Sequence, residues 1–346
     1  MSTLASKEIR LASRPQGTPA ADNFEVAETQ VAAPGEGEVR VRNLWMSVDP
    51  YMRARMIDDP KHYISAFQIG KALEGGAIGV VVDSGDPNFA PGDHVQSMMG
   101  WREIFNAPGS ALNKVNTQGL PLHAPLHIAG LTGLTAYYGL LKIGQPREGE
   151  TVFVSAAAGA VGSIVSQIAK IKGCRVVGVA GAEDKCKHVV GAYGFDACVN
   201  YKDADFREQL AKACPDGIDV YFENVGGETF DAVMELVNDF ARIPVCGRIA
   251  HYNDTAMPEG PDRLPGFMGK VLVKRLLIKG FIQFDYINRQ GDFLKDMPAW
   301  IRDGKVKYQE DVVEGLENAV SAFQGLLQGK NRGKLLIQVG DDPTKK

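Results

Sequence analysis

A chain of 346 residues, 45% hydrophobic and 23% charged, has the composition of a globular protein and is long enough for two domains. A formal net charge of −4 and a pI near 5.9, without an extended basic run, give no reason to expect a polyanionic partner. The amino end lacks the apolar core of a secretory signal, and no stretch approaches the roughly 18 apolar residues of a membrane span.

In chain order, the first 125 residues read as a β domain. Phe24-Glu-Val leads to a turn at Pro34-Gly35 and then to an alternating run from Glu38 to Arg42. A turn and a short helical piece follow Asp49. Two further strand-like runs, 75–83 and 89–95, sit between Gly and Pro turns, a texture of compact barrels. Near Pro125 it changes: residues 128–141 are apolar and punctuated by glycine, and lead through a polar turn to Thr151.

The organising stretch is 151–173. Val152, Phe153 and Val154 form a short apolar run that reads as a buried strand, and Ile164, Val165, Ile168, Ala169 and Ile171 recur at helical spacing. Between them, Ala157, Gly159 and Gly162 take the three slots of the Gly-x-Gly-x-x-Gly dinucleotide fingerprint. Small residues let the backbone turn tightly and bring the helix N-terminus against a pyrophosphate. Strand and helix alternate afterwards: strands at 175–180, 197–201, 218–225, 242–249 and 276–282, with helices from 183 and at 206–213, 230–237 and 268–274. This predicts an α/β doubly wound parallel sheet with its ligand at the carboxyl strand ends. Helices at 291–303 and 316–328 and a strand at 333–339 complete the chain, and 341–346 reads as a frayed end. The expected division is 1–125 for a substrate domain, 126–290 for a dinucleotide domain, and 291–346 as a segment returning to the first.

The second strand of a site for NAD ordinarily ends in an acidic residue that binds the ribose 2′-hydroxyl. Here it ends Ala180-Gly181-Ala182, with Lys185 one turn into the next helix, where a 2′-phosphate would be stabilised. NADP(H) is therefore the expected cofactor. Asn224 and the 246–253 segment leave strand ends facing that crevice. A tyrosine there, Tyr252, is protonated at neutral pH and can donate to a substrate carbonyl, although packing beneath a loop accounts for it equally well. No metal is implied. The first cysteine is Cys174, and Pro125 argues against a helical His123/His127 ligand pair. The five cysteines, odd in number and without Cys-x-x-Cys, read as reduced thiols of a cytoplasmic protein. Tyr138 and Lys142 match a short-chain-dehydrogenase pair but precede the nucleotide fold, so helix packing explains them better.

Several runs together are specific: VDPYMR (48–53), AAAGAVG (156–162), GCRVVG (173–178), YFENVGG (221–227), ARIPVCG (241–247), Tyr252-Asn253, GPDRLP (260–265) and GKNRGK (329–334). Through them the chain resembles the zinc-independent medium-chain dehydrogenase/reductases, in the leukotriene B4 12-hydroxydehydrogenase / 15-oxo-prostaglandin 13-reductase / alkenal double-bond reductase branch with its bacterial curcumin-reducing members. The resemblance implies a GroES-like β-barrel domain joined to a Rossmann doubly wound sheet, in a homodimer formed through the last strand of that sheet. It also implies NADPH-dependent reduction of the C=C bond of α,β-unsaturated ketones and aldehydes, such as curcumin-type enones and 2-alkenals. Gly159, Ala160, Val161 and Gly162 would line the pyrophosphate, with Lys185 and Tyr201 on the 2′-phosphate. Asn224, Cys246, Gly247, Tyr252, Phe281, Ile282, Gln283 and Asn331 would hold the rest of the cofactor. Tyr252 would donate the proton, and Tyr51 would line the substrate pocket. Ser47 to Pro50 and Ala72 to Gly76 stand where zinc-containing relatives carry ligands, and supply none. The QFDY run at 283–286 departs from the aliphatic stretch usual there. A quinone reductase of the same superfamily, or a non-catalytic NADPH-gated binding protein, are the alternatives.

Overall fold

Alternating apolar and polar residues carry the first third of the chain into antiparallel strands. They are β1 (Leu4–Leu11), β2 (Phe24–Val31), β3 (Glu38–Ser47), β4 (Ala77–Ser84), β5 (His94–Ser97), β6 (Ile104–Pro108) and β7 (Asn113–Lys114), with a one-turn helix α1 (Tyr51–Ala54) after β3. In the computed structural model, which describes residues 3–256 and 259–345, the chain divides into two units. One runs to His127 and resumes at Glu310; the other is residues 128–309.

The second unit begins with α2 (Leu131–Tyr138), which widens into a π-helical turn at 139–144. Six strands follow, each running into a helix or loop: β8 (Thr151–Val154), α3 (Gly162–Ile171), β9 (Arg175–Ala180), α4 (Glu183–Tyr193), β10 (Ala197–Asn200), α5 (Phe206–Ala213), β11 (Ile218–Phe222), α6 (Gly227–Met234), β12 (Val237–Val245), α7 (Leu264–Lys274), β13 (Leu277–Gly280) and α8 (Gly291–Arg302). The strands pair in parallel in the order β10-β9-β8-β11-β12-β13. The order reverses between β8 and β11, and that switch point is where such sheets bind dinucleotides. Val152 lies opposite Val176 on one side and Val220 on the other, so β8 is buried on both faces and reads as a continuous apolar run.

The chain then returns with β14 (Glu310–Glu314), α9 (Ala319–Leu327) and β15 (Lys334–Gln338). β15 pairs antiparallel with β3 and parallel with β14, and Leu335, Ile337 and Phe323 pack with Ile9, Met46, Met52 and Trp101 in the core of the first unit.

Several boundaries differ from the sequence expectation. Residues 291–309 belong to the second unit rather than to the returning segment. β12 starts at Val237, inside the stretch expected to end a helix, and α7 starts at Leu264. The 316–328 helix splits into a 3-10 turn, Leu316–Asn318, and α9. Asp342 is buried and accepts from Trp45 Nε1 at 2.8 Å, so the terminus is pinned there, while Lys346 lies outside the described residues.

Candidate functional site

The turn between β8 and α3 is shaped by what its small residues leave out. Ala156 takes a left-handed φ of +52°, and its carbonyl then points at the start of α3. A Cβ on Gly162 would stand 2.4 Å from Ala156 O, so only glycine fits. Ala157 is tolerated in the first glycine slot because Gly178, its neighbour on β9, has no side chain: a Cβ there would meet Ala157 Cβ at 2.7 Å. Gly159, Ala160 and Val161 complete the turn into α3, whose Ser163 N already bonds Gly159 O (3.1 Å) and whose Ile164 N and Val165 N bond Val161 O (3.1 and 3.0 Å), so the backbone winds into the helix from Gly159 onward. These residues form a cradle that a side chain would fill, and they suit a dinucleotide pyrophosphate.

At the end of β9, Gly181 underlies the ring of Tyr201, whose hydroxyl would be 2.8 Å from a Cβ at Gly181. Tyr201 is exposed, and its N–H bonds to Ala180 O at 3.1 Å. Lys185 is half-buried in the first turn of α4. Residues of β9, α4 and the end of β10 thus converge on one strand terminus.

The ends of β11 and β12 are organised by a residue the sequence reading missed. Glu223 is 2% exposed, and its carboxylate accepts from Tyr221 Oη, Val225 N, Gly226 N (2.9 Å) and Ser155 Oγ (3.2 Å). Burial, the largest influence, raises its pKa, and the four donors pull against it. Its backbone carbonyl accepts from Cys246 N at 2.8 Å and Gly247 N at 3.1 Å. Asn224 bonds Ser155 twice, through N to Oγ and through Nδ2 to O, both at 2.8 Å. Ile249 N and Ala250 N bond to Asn224 O (3.2 Å) and Val225 O (3.0 Å), and a 3-10 turn over Ile249–His251 then presents Tyr252. The Tyr252 hydroxyl comes within 3.5 Å of where a Gly247 Cβ would stand. Asn224, Cys246, Gly247 and Tyr252 therefore meet at one place. Burial, then the Cys246 sulfur, raises the tyrosine pKa, so it stays protonated at neutral pH; burial pushes the Cys246 thiol up to about 12.

Phe281 follows β13 and packs edge-on to Phe222 at 6.2 Å, above Gly139. Ile282 and Gln283 are half-buried, and Asp285 accepts from Ile282 N at 3.1 Å. Tyr286, in the run that departs from the family pattern, stacks on Tyr138 at 4.7 Å and 3°. Tyr138 is buried in that stack, in keeping with a packing role.

Tyr51 and Asn331 belong to the first unit. Tyr51 opens α1 and is half-buried, and burial followed by the Asp49 charge raises its pKa. Asn331 Nδ2 donates to Gly333 O at 2.9 Å. Asp49 accepts from Ser47 Oγ and from Lys334 Nζ (2.7 Å), with Lys334 only 1% exposed and also donating to Val48 O. Glu74 pairs with Arg55 at 2.6 Å. The carboxylates nearest the positions of metal ligands in zinc-containing relatives thus already face fixed cations. His123 and His127 flank a 3-10 turn, Ala124–Leu126, and both bond Glu310, at 2.7 and 3.4 Å. Among the described residues no group of three or more His, Cys, Asp or Glu could hold a metal ion.

An antiparallel β unit closed by a returning strand, with a six-stranded dinucleotide-type sheet inserted, defines a two-domain oxidoreductase of the dehydrogenase type. A family model described as the N-terminal domain of oxidoreductase matches residues 7–115, and one described as zinc-binding dehydrogenase matches 160–299. The chain is 50% identical to the NADPH-dependent curcumin reductase of Escherichia coli (strain K12) over 334 residues, 96% of each chain. It is 40% identical to the 2-alkenal reductase (NADP(+)-dependent) of Nicotiana tabacum, covering 97% of this chain and 98% of that one. The structure of CurA from Vibrio vulnificus in complex with NADPH is similar with a TM-score of 0.93 at 48% identity, over 97% of this chain and 100% of that one. The chain belongs to the medium-chain dehydrogenase/reductase family, in the branch to which its motifs point.

Proposed function

We propose that the protein is an NADPH-dependent reductase of the C=C bond of α,β-unsaturated ketones and aldehydes. The observation that carries this reading is identity of 40–50% over nearly the whole chain with a curcumin reductase and a 2-alkenal reductase, both named as dependent on NADP(H). The glycine cradle before α3 holds the pyrophosphate, and Lys185 and Tyr201 hold the 2′-phosphate. Asn224, Cys246, Gly247, Phe281, Ile282 and Gln283 would hold the remainder.

NADPH, when bound, supplies the hydride that the substrate β-carbon accepts. As that bond forms, negative charge gathers on the carbonyl oxygen, and this chain must stabilise it. Tyr252 does so by donating its hydroxyl hydrogen bond, and its raised pKa keeps the proton in place until charge develops. Tyr51 lines the substrate pocket. The carbonyl is polarised without a metal: Lys334 compensates Asp49, and Arg55 compensates Glu74, at the positions where a zinc-binding relative would carry ligands.

The working state is a homodimer. β13 is an edge strand, and α7 beside it has no buried residue, with Leu272 76% exposed and Leu264, Met268 and Val273 exposed as well. A second copy extending the sheet from β13 would cover this apolar face. The five cysteines are unpaired as disulfides, and among the described residues no helix is long and apolar enough to cross a membrane, which supports a cytoplasmic setting. Initial rates of NADPH consumption with curcumin, 2-alkenals and quinones test the reading. Enones are expected to be the better substrates, and rates confined to quinones would refute it.

A further inference from the structure

Two cysteines flank the carboxyl end of β9 with their sulfurs nearly in contact. Cys186 lies in the first turn of α4, directly after Lys185, and its N–H bonds to Ala182 O at 3.1 Å. Cys198 lies on β10 opposite Gly178 of β9. The Cys198 thiol donates to Cys186 Sγ across 3.0 Å. A disulfide spans about 2.05 Å, so bonding the pair takes roughly 1 Å of movement. That hydrogen bond is the largest influence on Cys186 and lowers its pKa, while the donor, Cys198, is raised. A sulfur near a helix N-terminus that accepts a hydrogen bond from a second thiol in reach is the arrangement of a redox-sensitive pair. The other three cysteines contrast with it: burial pushes Cys174 up to about 11 and Cys214 and Cys246 up to about 12. Cys186 is buried and Cys198 partly exposed, so a small oxidant reaches the pair from the Cys198 side.

We propose that Cys186 and Cys198 are a dithiol switch: hydrogen peroxide oxidises them to an intramolecular disulfide, and the disulfide weakens NADPH binding. The Cys186 thiolate attacks one peroxide oxygen, the O–O bond breaks, and hydroxide leaves, giving a sulfenic acid. The Cys198 sulfur then displaces the sulfenic hydroxyl, which departs as water with the Cys198 proton. The hydroxide released first takes up the proton that Cys186 had lost. Peroxide gains two electrons and becomes two waters, and the dithiol loses two.

The consequence for binding rests on the assignment of Lys185 and Tyr201 to the 2′-phosphate. Lys185 adjoins Cys186, and Tyr201 lies three residues beyond Cys198, with its ring over Gly181. Drawing the first turn of α4 toward β10 moves both residues, and by linkage bound NADPH must oppose the closure.

The test treats the reduced full chain with hydrogen peroxide. Thiols counted after denaturation should fall from the five in the sequence to three, with a single peptide pair joining Cys186 and Cys198. The dissociation constant for NADPH, read by fluorescence titration, should rise about tenfold. Dithiothreitol should restore it, and saturating NADPH should slow disulfide formation. The reduced Cys198→Ser and Cys186→Ser variants should bind NADPH normally and show no bridged peptide. A thiol count that stays at five, oxidation that stops at a sulfinic acid on one cysteine, or a disulfide that leaves NADPH affinity unchanged each overturns the switch. Lys185→Ala in the reduced protein keeps the two ideas apart. Equal loss of NADPH and NADH affinity there removes the phosphate assignment, whereas the bridge and its effect on NADPH are judged by their own measurements.

Discussion

Gly162→Ala puts the cofactor cradle under the most direct strain. The added Cβ would lie 2.4 Å from Ala156 O and 3.1 Å from its carbonyl carbon, and both are backbone atoms that cannot rotate away. A relaxed carbon–oxygen contact is about 3.3 Å or longer, so the turn must open by nearly 1 Å. Overpacking of this kind costs about 1–3 kcal/mol, a drop of several degrees in Tm for a chain of this size. A displacement near 1 Å in a positioning element can cost about a hundredfold, so the NADPH dissociation constant should rise by roughly 10- to 100-fold. Gly159→Ala is the internal comparison. Its Cβ would stand 3.1 Å from the same oxygen, which a few tenths of an ångström relieves, and its effect should be tenfold or less. Fluorescence titration with NADPH and thermal unfolding of both variants provide the readouts. If Gly162→Ala binds NADPH as tightly as the parent chain, or if Gly159→Ala is the worse of the two, the cradle is misplaced.

Tyr252→Phe should lower enone turnover by about 10²- to 10⁴-fold while the NADPH dissociation constant stays within about twofold; unchanged turnover means that solvent supplies the proton. Burial raises the Glu310 pKa, but the bonds from His123 and His127 outweigh it and hold the group down to about 2, so it contributes stability that is complete above its unfolded pKa near 4.5 and is lost as pH falls through 2. Urea unfolding of the parent chain and Glu310→Gln should differ by roughly 2–3 kcal/mol at pH 6 and converge only below pH 2, and a difference independent of pH contradicts this. Leu272→Asp should turn a dimer into a monomer in sedimentation; a parent chain that is already monomeric rules out the α7–β13 face as an interface.

The parts of the fold visible in the sequence are those whose information is local. The run from Val152 to Val154, the small residues through Gly162 and the helical spacing to Ile171 are contiguous, so strand, turn and helix follow from one window. β14 leaves no local signal because Glu310–Glu314 is an acidic edge strand without apolar alternation, fixed by pairing with β15. The start of β12 is masked in the sequence because Leu236 and Val237 complete an apolar helical period, whereas the residues up to Val245 extend along β11. The same division holds at the site. Asn224, Cys246 and Tyr252 follow strand ends, and a strand end is a local signal. Glu223 looks like any carboxylate until four donors from three places in the chain converge on it, although an acid two residues after a buried tyrosine in an apolar strand is a signal that was available. Lys334 and Asp49 are 285 residues apart, and only the return of β15 to β3 makes them partners.

Enone reduction itself is tested most directly by following the hydride. With NADPH deuterated at the transferred C4 position and curcumin or a 2-alkenal as substrate, the product should carry deuterium at the β-carbon with its carbonyl intact. Deuterium on a carbinol carbon, with the double bond retained, would contradict the account.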